Sequence, residues 1–268
     1  MEKPEVYALI TGGSMGIGKA IAHDCASRGM NLLLVALPGK ELEETANEIA
    51  AKFNVLVHTF AVDLAMIDGP ELVYKWCVAS DYKVNVLVNN AGLAGSRVFK
   101  SSELAYTDTR IMVNIRAMAL LSQLFIPLLE IHPKAYILNI ASMAAYFSIP
   151  YKAVYAASKA FVLSFSQALS SELAQSNISV SVVCPNGVET NSGTFTRIKA
   201  HGFFGNLTKI EANILAKVSI NGMLNRKEVI IPKRINRFLL VINLFLPGKL
   251  RRNLIKKRFL KEVNSTTG

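Results

Sequence analysis

Short apolar runs alternate along the chain with longer stretches in which apolar residues recur at helical spacing. Six of the short runs are rich in β-branched residues or leucine and are bounded by polar residues, as buried strands are. They cover residues 6–10, 32–36, 55–60, 84–88, 135–140 and 178–183, and residues 229–231 could add a last strand. The longer stretches predict helices near residues 17–29, 40–52, 69–80, 103–130, 152–175 and 208–222.

This alternation predicts a parallel sheet, because the crossover between two parallel strands needs a helix on one face of the sheet. The predicted fold class is α/β: a single doubly wound parallel sheet with helices on both faces over residues 1–232, followed by a C-terminal tail over residues 233–268. A composition of 51% hydrophobic and 18% charged residues excludes disorder for the bulk of the chain. Three cysteines are too few and too scattered for a disulfide scaffold or a zinc site, so no metal is expected.

The positive charge of the chain is concentrated at its C-terminal end. The net charge is +11, and residues 225–268 hold 12 of the 30 Lys and Arg but only 2 of the 19 Asp and Glu. Apolar and basic clusters alternate over residues 233–261, so the tail is predicted to be a basic helix able to lie on a membrane surface. A helix packed on the body or a subunit contact is the alternative. No nucleic-acid partner is expected, because the tail has few aromatic residues and no binding module.

The start of the chain contains acids and a proline, and the apolar run that follows is too short for a secretory signal. No uninterrupted apolar run approaches the length of about 20 residues that a membrane span needs. These features predict a cytoplasmic protein, with the tail as the place of any membrane contact.

A glycine-rich turn, Thr11-Gly12-Gly13-Ser14-Met15-Gly16-Ile17-Gly18, separates the first predicted strand from the first predicted helix. The N-terminus of a helix presents unpaired amides, and glycines let the backbone approach a pyrophosphate. The strand before the turn and the helix after it favour a dinucleotide site over a turn without a ligand, and they make the predicted fold Rossmann-type. The cofactor contacts predicted here are Gly12, Ser14, Gly16, Ile17 and Gly18.

The end of the second predicted strand bears on the choice of cofactor. An acid there would bond the ribose 2′-hydroxyl of NAD and repel the 2′-phosphate of NADP, but the sequence has Ala36-Leu37-Pro38-Gly39-Lys40. NADP(H) is therefore the preferred cofactor and NAD(H) the alternative, with Lys40 as a candidate partner for the phosphate. Leu37, Asp63 and Leu64 are further predicted contacts, although Asp63 can equally cap the next helix.

Several motifs follow the glycine turn in a fixed order. They are Asn89-Asn90-Ala91-Gly92 after the fourth strand, Asn114 in the next helix, Ser142 at the end of the fifth strand, and Tyr155-Ala156-Ala157-Ser158-Lys159. Together with the turn, they resemble the short-chain dehydrogenase/reductase superfamily, and most closely its ketoreductase-type members, over about residues 6–190. The resemblance implies an NAD(P)-dependent oxidoreductase that forms a homodimer or homotetramer through the helices near residues 103–130 and 152–175.

The chemistry expected of these residues centres on a phenol. Tyr155 and Lys159 are four residues apart and so share one face of a helix. An ammonium group beside a phenol lowers the phenol's pKa from its usual value of about 10, which fits it for general acid–base catalysis. Ser142 can donate to the same substrate oxygen. The resemblance adds that Asn114 completes the catalytic set by holding a proton-relay water, and that Lys159 contacts the nicotinamide ribose.

The resemblance also implies cofactor contacts farther along the chain. These are Asn90, Ala91, Gly92, Tyr155 and Lys159, with Pro185, Gly187, Val188 and Thr190 after the sixth strand. Asn186 stands where the family usually has glycine. Because Asn tolerates a left-handed backbone, the turn is expected to be kept.

The predicted substrate is a small hydrophobic, lipid-like ketone or the corresponding secondary alcohol. The residues predicted to line its pocket are Met143, Tyr146, Phe147 and Phe195, the last in a lid at about residues 190–225; the alternative is that these side chains are ordinary core. Two other functions compete with the enzyme hypothesis. One is a nucleotide-binding scaffold or sensor without turnover, and the other is a peripheral membrane protein that acts mainly through its tail.

Overall fold

The computed structural model describes residues 6–189, 208–245, 255–256 and 259–260. Thr190, Phe195 and most of the tail beyond residue 245 lie outside the described residues. The strands are β1 Tyr7–Thr11, β2 Asn31–Ala36, β3 Val57–Ala61, β4 Val84–Asn89, β5 Ala135–Ile140, β6 Ile178–Val183, β7 Val188–Glu189, β8 Ile210–Glu211 and β9 Val229–Ile230. Strands β7 and β8 pair with each other. The other seven form one parallel sheet in the order β3-β2-β1-β4-β5-β6-β9, which confirms the predicted fold class.

The helices are α1 Gly16–Ser27, α2 Lys40–Lys52, α3 Gly69–Ala79, α4 Leu104–Ile111, α5 Met118–Glu130, α6 Ala153–Glu172, α7 Ala212–Leu224 and α8 Arg234–Phe245. The sequence predicted one helix over residues 103–130. The structure instead has a π-helical turn, Met112–Ala117, between α4 and α5. Such turns insert an extra residue into the helix and often occur at functional sites.

The sheet is buried on both faces, which explains why its strands are almost uninterrupted apolar runs. One face packs Ile10 and Leu34 with residues of α1 and α7, such as Ile21. The opposite face packs Leu9 and Phe125 with residues of α3 and α5. Each such side chain contributes about 1.5–3 kcal/mol through its removal from water. The strand order reverses between β1 and β4, and the crevice at the carboxyl ends of the strands there is the usual ligand site of this architecture.

One helical stretch among the described residues, Leu104–Glu130, has the length and composition to cross a membrane. The sequence expectation concerned uninterrupted apolar runs, none of which approaches the length of a span. Polar residues such as Asn114 interrupt this stretch, so that expectation is unchanged. Within the stretch, Leu121, Phe125 and Leu129 are buried against the sheet. Core helices pass the same test of length and hydropathy, so this stretch is a weak indication of a membrane span.

The parts of the tail that the structure describes pack against the body. Leu240 of α8 contacts an apolar cluster formed around Met143 and Cys184. Farther along, Ile255 and Phe259 pack against the cluster of Ala144, Ile149 and Ala156, as Phe147 and Tyr155 also do. The tail therefore reaches the region where the sequence places the catalytic residues.

Candidate active site

The glycine turn forms a cradle that side chains would fill. Gly12 has a φ of +65°, and a Cβ on Gly18 would lie 2.0 Å from the Gly12 carbonyl oxygen, so only glycine fits there. Helix α1 follows at once, and its N-cap residue, Met15, has no side-chain oxygen to bond the first amides. The amides at the start of α1 are therefore suited to the pyrophosphate of a dinucleotide. The residues present fit the nicotinamide cofactor that the sequence predicts.

Two polar side chains attach this turn to the end of β4. The Thr11 hydroxyl accepts hydrogen bonds from the amides of Asn90 (3.0 Å) and Ala91 (3.1 Å). The Asn90 side-chain amide donates to the carbonyl oxygens of Thr11 (2.9 Å) and Gly12 (3.1 Å). Asn90, predicted as a cofactor contact, thus holds the backbone of the turn at Thr11 and Gly12. No role for Thr11 was predicted from the sequence, although its position at the end of a buried strand, directly before the turn, could have indicated one.

Some of the residues predicted to contact the adenosine half of the cofactor are exposed, and others are buried. Leu37 and Lys40 are exposed beyond the end of β2, whereas Leu64 is buried. Asp63 Oδ1 accepts a hydrogen bond from the Ala65 amide over 2.8 Å, so one of its oxygens stabilises the turn before α3. This is the capping alternative that the sequence left open, and the second carboxylate oxygen is not used in that bond.

Asn114 lies in the π-helical turn, where it is only 1% exposed. Its Oδ1 accepts from the Leu93 amide (2.7 Å), and its Nδ2 donates to the Leu93 carbonyl (3.0 Å) and to Ser158 Oγ (3.0 Å). The Ser158 hydroxyl in turn donates to the Tyr155 carbonyl over 2.8 Å. This chain of bonds connects the loop after β4 to the first turns of α6. Ser158 belongs to the Tyr155–Lys159 motif, but no role for it was predicted from the sequence.

Lys159 is 6% exposed, and its Nζ donates to the carbonyl oxygen of Ile140, at the end of β5, over 2.7 Å. A Cβ placed on Gly92 would lie 3.4 Å from Lys159 Nζ and 3.3 Å from Asn114 Oδ1. Three of the predicted site residues are therefore in one place. Burial away from water lowers the pKa of Lys159 to about 8, because the charged form loses its hydration.

Ser142 lies at the end of β5, beside the end of β6. Its Oγ accepts a hydrogen bond from the Ala144 amide (3.1 Å) and donates a long one to the Pro185 carbonyl (3.5 Å). The same carbonyl accepts from the Met143 amide over 2.8 Å. These bonds hold the start of the 3-10 turn Met143–Tyr146 against the segment after β6.

A buried thiol lies close to these groups. Burial raises the pKa of the Cys184 thiol to about 11, although a hydrogen bond from the Tyr146 hydroxyl, the charge of Lys159 and the Ser142 amide oppose this rise. Burial and the same contact with Cys184 raise the pKa of Tyr146. Tyr146, predicted to line the substrate pocket, thus has its hydroxyl hydrogen-bonded to Cys184. Cys184 was not among the site residues predicted from the sequence.

The other predicted pocket residues have different surroundings. Met143 is buried in the core beside Cys184, which is the core alternative that the sequence allowed. Phe147 is half-buried in a cluster that also contains Tyr155. The tail residues Ile255 and Phe259 complete that cluster, and Lys152 Nζ lies 5.2 Å from the centre of the Phe259 ring. Sequence reasoning missed these tail contacts because they join segments about 100 residues apart.

Asn186, which stands where the family usually has glycine, does not use the left-handed conformation that Asn tolerates, because its backbone φ is not positive. Instead, its Oδ1 accepts from the Gly187 amide (3.0 Å), and its Nδ2 contacts Asn236 of α8 (3.5 Å). The side chain thus forms the local hydrogen bonds that a glycine could not. Val188 is buried and pairs with Ile210.

The fold therefore brings Gly92, Asn114 and Lys159 into contact, with Ser142 and the first turn of α6 on the adjoining segments. An ammonium, amides and hydroxyls at the carboxyl end of the sheet suit proton transfer to and from an oxygen beside a bound dinucleotide. Among the residues that the structure describes, no three His, Cys, Asp or Glu side chains are grouped as a metal site would need.

Comparison with known proteins adds the following findings. A family model described as short chain dehydrogenase matches residues 6–200. The very-long-chain 3-oxoacyl-CoA reductase of Rattus norvegicus is 35% identical over 188 residues, which are 69% of this chain and 60% of that protein. The structure of a short-chain dehydrogenase from Sphingobium yanoikuyae in complex with NADPH is similar with a TM-score of 0.75 and 26% identity, covering 91% of this chain and 97% of that one. The 3-ketoacyl-(acyl-carrier-protein) reductase from Brucella melitensis complexed with NADH has a TM-score of 0.72 and 25% identity, over 85% of this chain and 98% of that one.

Proposed function

This chain belongs to the short-chain dehydrogenase/reductase family, and we propose that within it the protein is a ketoreductase that interconverts a hydrophobic, lipid-like ketone and its secondary alcohol. Family membership makes it an oxidoreductase acting on CH–OH or C=O groups with a nicotinamide cofactor. The chain spans about 60% of the length of the rat relative, so that protein's substrate is carried over as part of the proposal.

We propose one role for each residue of the site. When bound, the nicotinamide supplies or accepts the hydride. Tyr155 transfers the proton to or from the substrate oxygen, and Ser142 donates a hydrogen bond that polarises the same oxygen. Lys159 stabilises the phenolate, and Asn114 holds the loop after β4 at the site while its side chain bonds toward α6. The observation that carries the proposal is the buried Lys159 ammonium next to Gly92 and Asn114.

Substitution of the phenol tests this mechanism. Tyr155→Phe should lower kcat for NADPH-dependent ketone reduction by about 100-fold or more, the usual contribution of a general acid. Tyr151→Phe is the matched control, because it removes a phenol four residues earlier and should leave kcat unchanged. Equal activity of Tyr155→Phe and the parent enzyme would refute the assigned role.

For the cofactor, the proposal is a preference for NADP(H). Support comes from residues 36–40 at the end of β2, which contain no acid and expose Leu37 and Lys40; the carboxylate of Glu41, in the first turn of α2, lies beside Gly39. The Sphingobium structure holds NADPH and the Brucella structure NADH, so both forms occur among similar proteins. KM values for NADPH and NADH measured in parallel test the preference. Lys40→Ala should raise the KM for NADPH while leaving the KM for NADH unchanged.

For the substrate, the proposal is a 3-oxoacyl thioester, the class named for the rat and Brucella proteins. The apolar cluster of Phe147, Ile149, Tyr155, Ile255 and Phe259 supports a hydrophobic acyl chain beside the phenol. Reduction rates for 3-oxoacyl thioesters of increasing chain length test this assignment. Phe259→Ala should raise the KM for long chains more than that for acetoacetyl thioesters.

A homodimer or homotetramer is the proposed assembly, formed through α4, α5 and α6. Support comes from apolar side chains exposed on those helices, including Leu104 and Phe161, the latter with its ring 5.8 Å from that of Phe165. Light scattering of the purified protein gives the number of subunits. Phe161→Glu should shift the protein toward monomer.

The proposed location is the cytoplasm, with contact of a membrane surface through the tail. The outward face of α8 carries Phe238 (60% exposed), Val241 (53%) and Ile242 (40%), spaced as neighbours on one side of a helix. Arg234 and Arg237 are exposed on the same helix. Apolar side chains flanked by cations suit a surface of anionic lipids, because the apolar side chains enter the interface and the cations meet the headgroups.

Vesicle flotation tests this contact. The protein should float with vesicles of mixed phosphatidylglycerol and phosphatidylcholine and remain unbound with phosphatidylcholine alone. Phe238→Glu should abolish flotation, whereas Val78→Glu, a control at an exposed apolar residue of α3, should leave it intact. Flotation that is equal for the parent protein and Phe238→Glu would refute a role for α8.

A further inference from the structure

Two arginines and a tyrosine stack at the edge of the site. The guanidinium carbon of Arg110 lies 3.3 Å from the centre of the Tyr106 ring, and that of Arg97 lies 4.7 Å from the same centre. We call Arg97, Tyr106 and Arg110 the arginine platform. Cations held over an aromatic face are attracted by its electron density, which offsets part of their mutual repulsion.

Hydrogen bonds to main-chain carbonyls hold the side chain of Arg110 and the backbone of Arg97. Arg110 donates from Nη1 to the Tyr106 carbonyl (2.9 Å) and from Nη2 to the Ala94 carbonyl (2.8 Å). The Arg97 amide donates to the carbonyl of Tyr151 over 2.8 Å. Arg110 is therefore already held in place over the Tyr106 ring, and the ordering that a ligand would have to bring about is that of the exposed Arg97 side chain.

The platform adjoins both segments that carry the proposed catalytic groups. Ala94 is two residues from Gly92, which lies next to Lys159 and Asn114, so the two Cα atoms are at most about 7 Å apart. Tyr151 belongs to the segment that runs from Ser142 to Tyr155. A substrate with its ketone at the phenol can thus extend its other end toward the platform.

The charge of the platform is not neutralised within the described part of the chain. Neither Arg97 nor Arg110 forms an ion pair there, and Arg110 Nε is buried without a hydrogen-bond partner. The acids nearest in sequence to Tyr106 and Arg110 are Asp108 on α4 and Glu103 directly before it, and both are exposed. Residues 190–207, which follow the site in sequence, contain no Asp or Glu. Burial and the neighbouring Arg97 charge lower the pKa of Arg110, so an anion here would relieve an unfavourable arrangement.

We propose that the arginine platform binds a phosphate of a phosphopantetheine-linked thioester substrate. This inference rests on the proposed function and adds a recognition site for the carrier end of the substrate. Guanidinium groups match phosphate oxygens with paired N–H donors, and Arg97 keeps its side-chain donors available among the described residues. The thioester arm reaches from the phosphate to the phenol, while the acyl chain lies on the cluster around Phe147.

Kinetics with three thioesters of one acyl group test the proposal. They are acetoacetyl-CoA, acetoacetyl-4′-phosphopantetheine and acetoacetyl-N-acetylcysteamine, of which the last has no phosphate. Arg97→Ala should raise the KM for acetoacetyl-CoA about tenfold without changing kcat, and should leave the KM for the N-acetylcysteamine thioester unchanged. An increase for both phosphate-bearing substrates assigns the 4′-phosphate, and an increase for acetoacetyl-CoA alone assigns the nucleotide phosphates. Lys100→Ala, an exposed cation of the same loop, is the control and should change none of the values.

Binding of CoA itself separates the platform from the reaction. Calorimetry is performed on protein saturated with NADP⁺, so that CoA cannot occupy the dinucleotide site. The parent protein should bind CoA, and Arg97→Ala should bind it about tenfold more weakly. Absence of CoA binding, or an equal KM increase for all three thioesters, would overturn the platform. Binding of CoA without reduction of any thioester would overturn the proposed substrate and leave the platform in place.

Discussion

Lys159 donates a hydrogen bond from its ammonium group to the main-chain carbonyl of Ile140, 2.7 Å away at the end of a central strand. The bond fixes the ammonium inside the protein, where Gly92 leaves just enough room beside it. It also supplies one hydrogen-bond acceptor to a cation that has lost its hydration. The electrostatics of the site depend on this arrangement.

The burial of Lys159 predicts a specific dependence of stability on pH. Its pKa is about 8 in the folded protein and about 10.4 in an unfolded chain. Between these values the unfolded state binds more protons, so the free energy of unfolding rises with pH, by about 3 kcal/mol in all, and the gain is lost as pH falls through 8. The free energy of unfolding, measured with urea from pH 7 to 10.5, should rise in the parent protein relative to Lys159→Met. Lys75→Met, which replaces an exposed lysine, should show the same rise as the parent. A difference in free energy between the parent and Lys159→Met that stays constant with pH would contradict the prediction.

The cradle at the start of α1 predicts the effect of a single methyl group. In Gly18→Ala the new Cβ would overlap the Gly12 carbonyl oxygen at 2.0 Å, so the turn must open. NADPH affinity measured by calorimetry should fall by about tenfold or more. Gly29→Ala is a useful control, because Gly29 has a φ of +77° with open space around it. That variant should lose stability through backbone strain and retain its NADPH affinity; equal affinities for all three proteins would argue against the cradle.

The hydroxyl of Ser158 joins Asn114 to the backbone of α6, which predicts a structural cost for its removal. Ser158→Ala leaves a buried Asn114 N–H without this acceptor, and a cost of about 1–3 kcal/mol in the free energy of unfolding is expected. Chemical denaturation measures it. Ser171→Ala, which removes an exposed hydroxyl near the end of α6, should cost less. No difference between the two variants would mean that the Asn114 bond contributes little.

The three cysteines predict a pattern of thiol reactivity. Cys25, Cys77 and Cys184 are free and buried, and burial raises their pKa values to about 12, 12 and 11. Because the thiolate is the reactive species, iodoacetamide at pH 8 should label none of them in the native protein and all three in guanidinium chloride. Mass spectrometry counts the labelled residues. Rapid labelling of Cys184 in the native state would show that the region near Tyr146 opens.

Local patterns in the sequence were enough to predict the sheet. The seven main strands were each predicted to within a few residues, because burial on both faces demands runs such as Leu32 to Ala36 that few other structures require. The glycine turn could also be predicted from the sequence, because the close approach of Gly18 to Gly12 excludes every larger residue. Likewise, the spacing of Tyr155 and Lys159 was sufficient to place both on α6.

Contacts between segments distant in the sequence could not be predicted from local patterns. The π-helical turn at Asn114, the thiol of Cys184 beside Tyr146, and the packing of Ile255 and Phe259 near Tyr155 each depend on which segments meet in space. The same holds for Asn186, whose side chain contacts Asn236 of α8. Short-range rules carry no information about such partners.

The sequence by itself determined the succession of strands and helices along the chain and the residue types of the site. The reason is that local periodicity largely sets backbone conformation and burial pattern. Only the tertiary structure decided the environment of each group: that Lys159 lies buried beside Gly92 and Asn114, and that Arg97 and Arg110 share one ring. The physical reason is that desolvation and Coulomb interactions depend on distance through space, and this distance is fixed only when the sheet and its helices have packed.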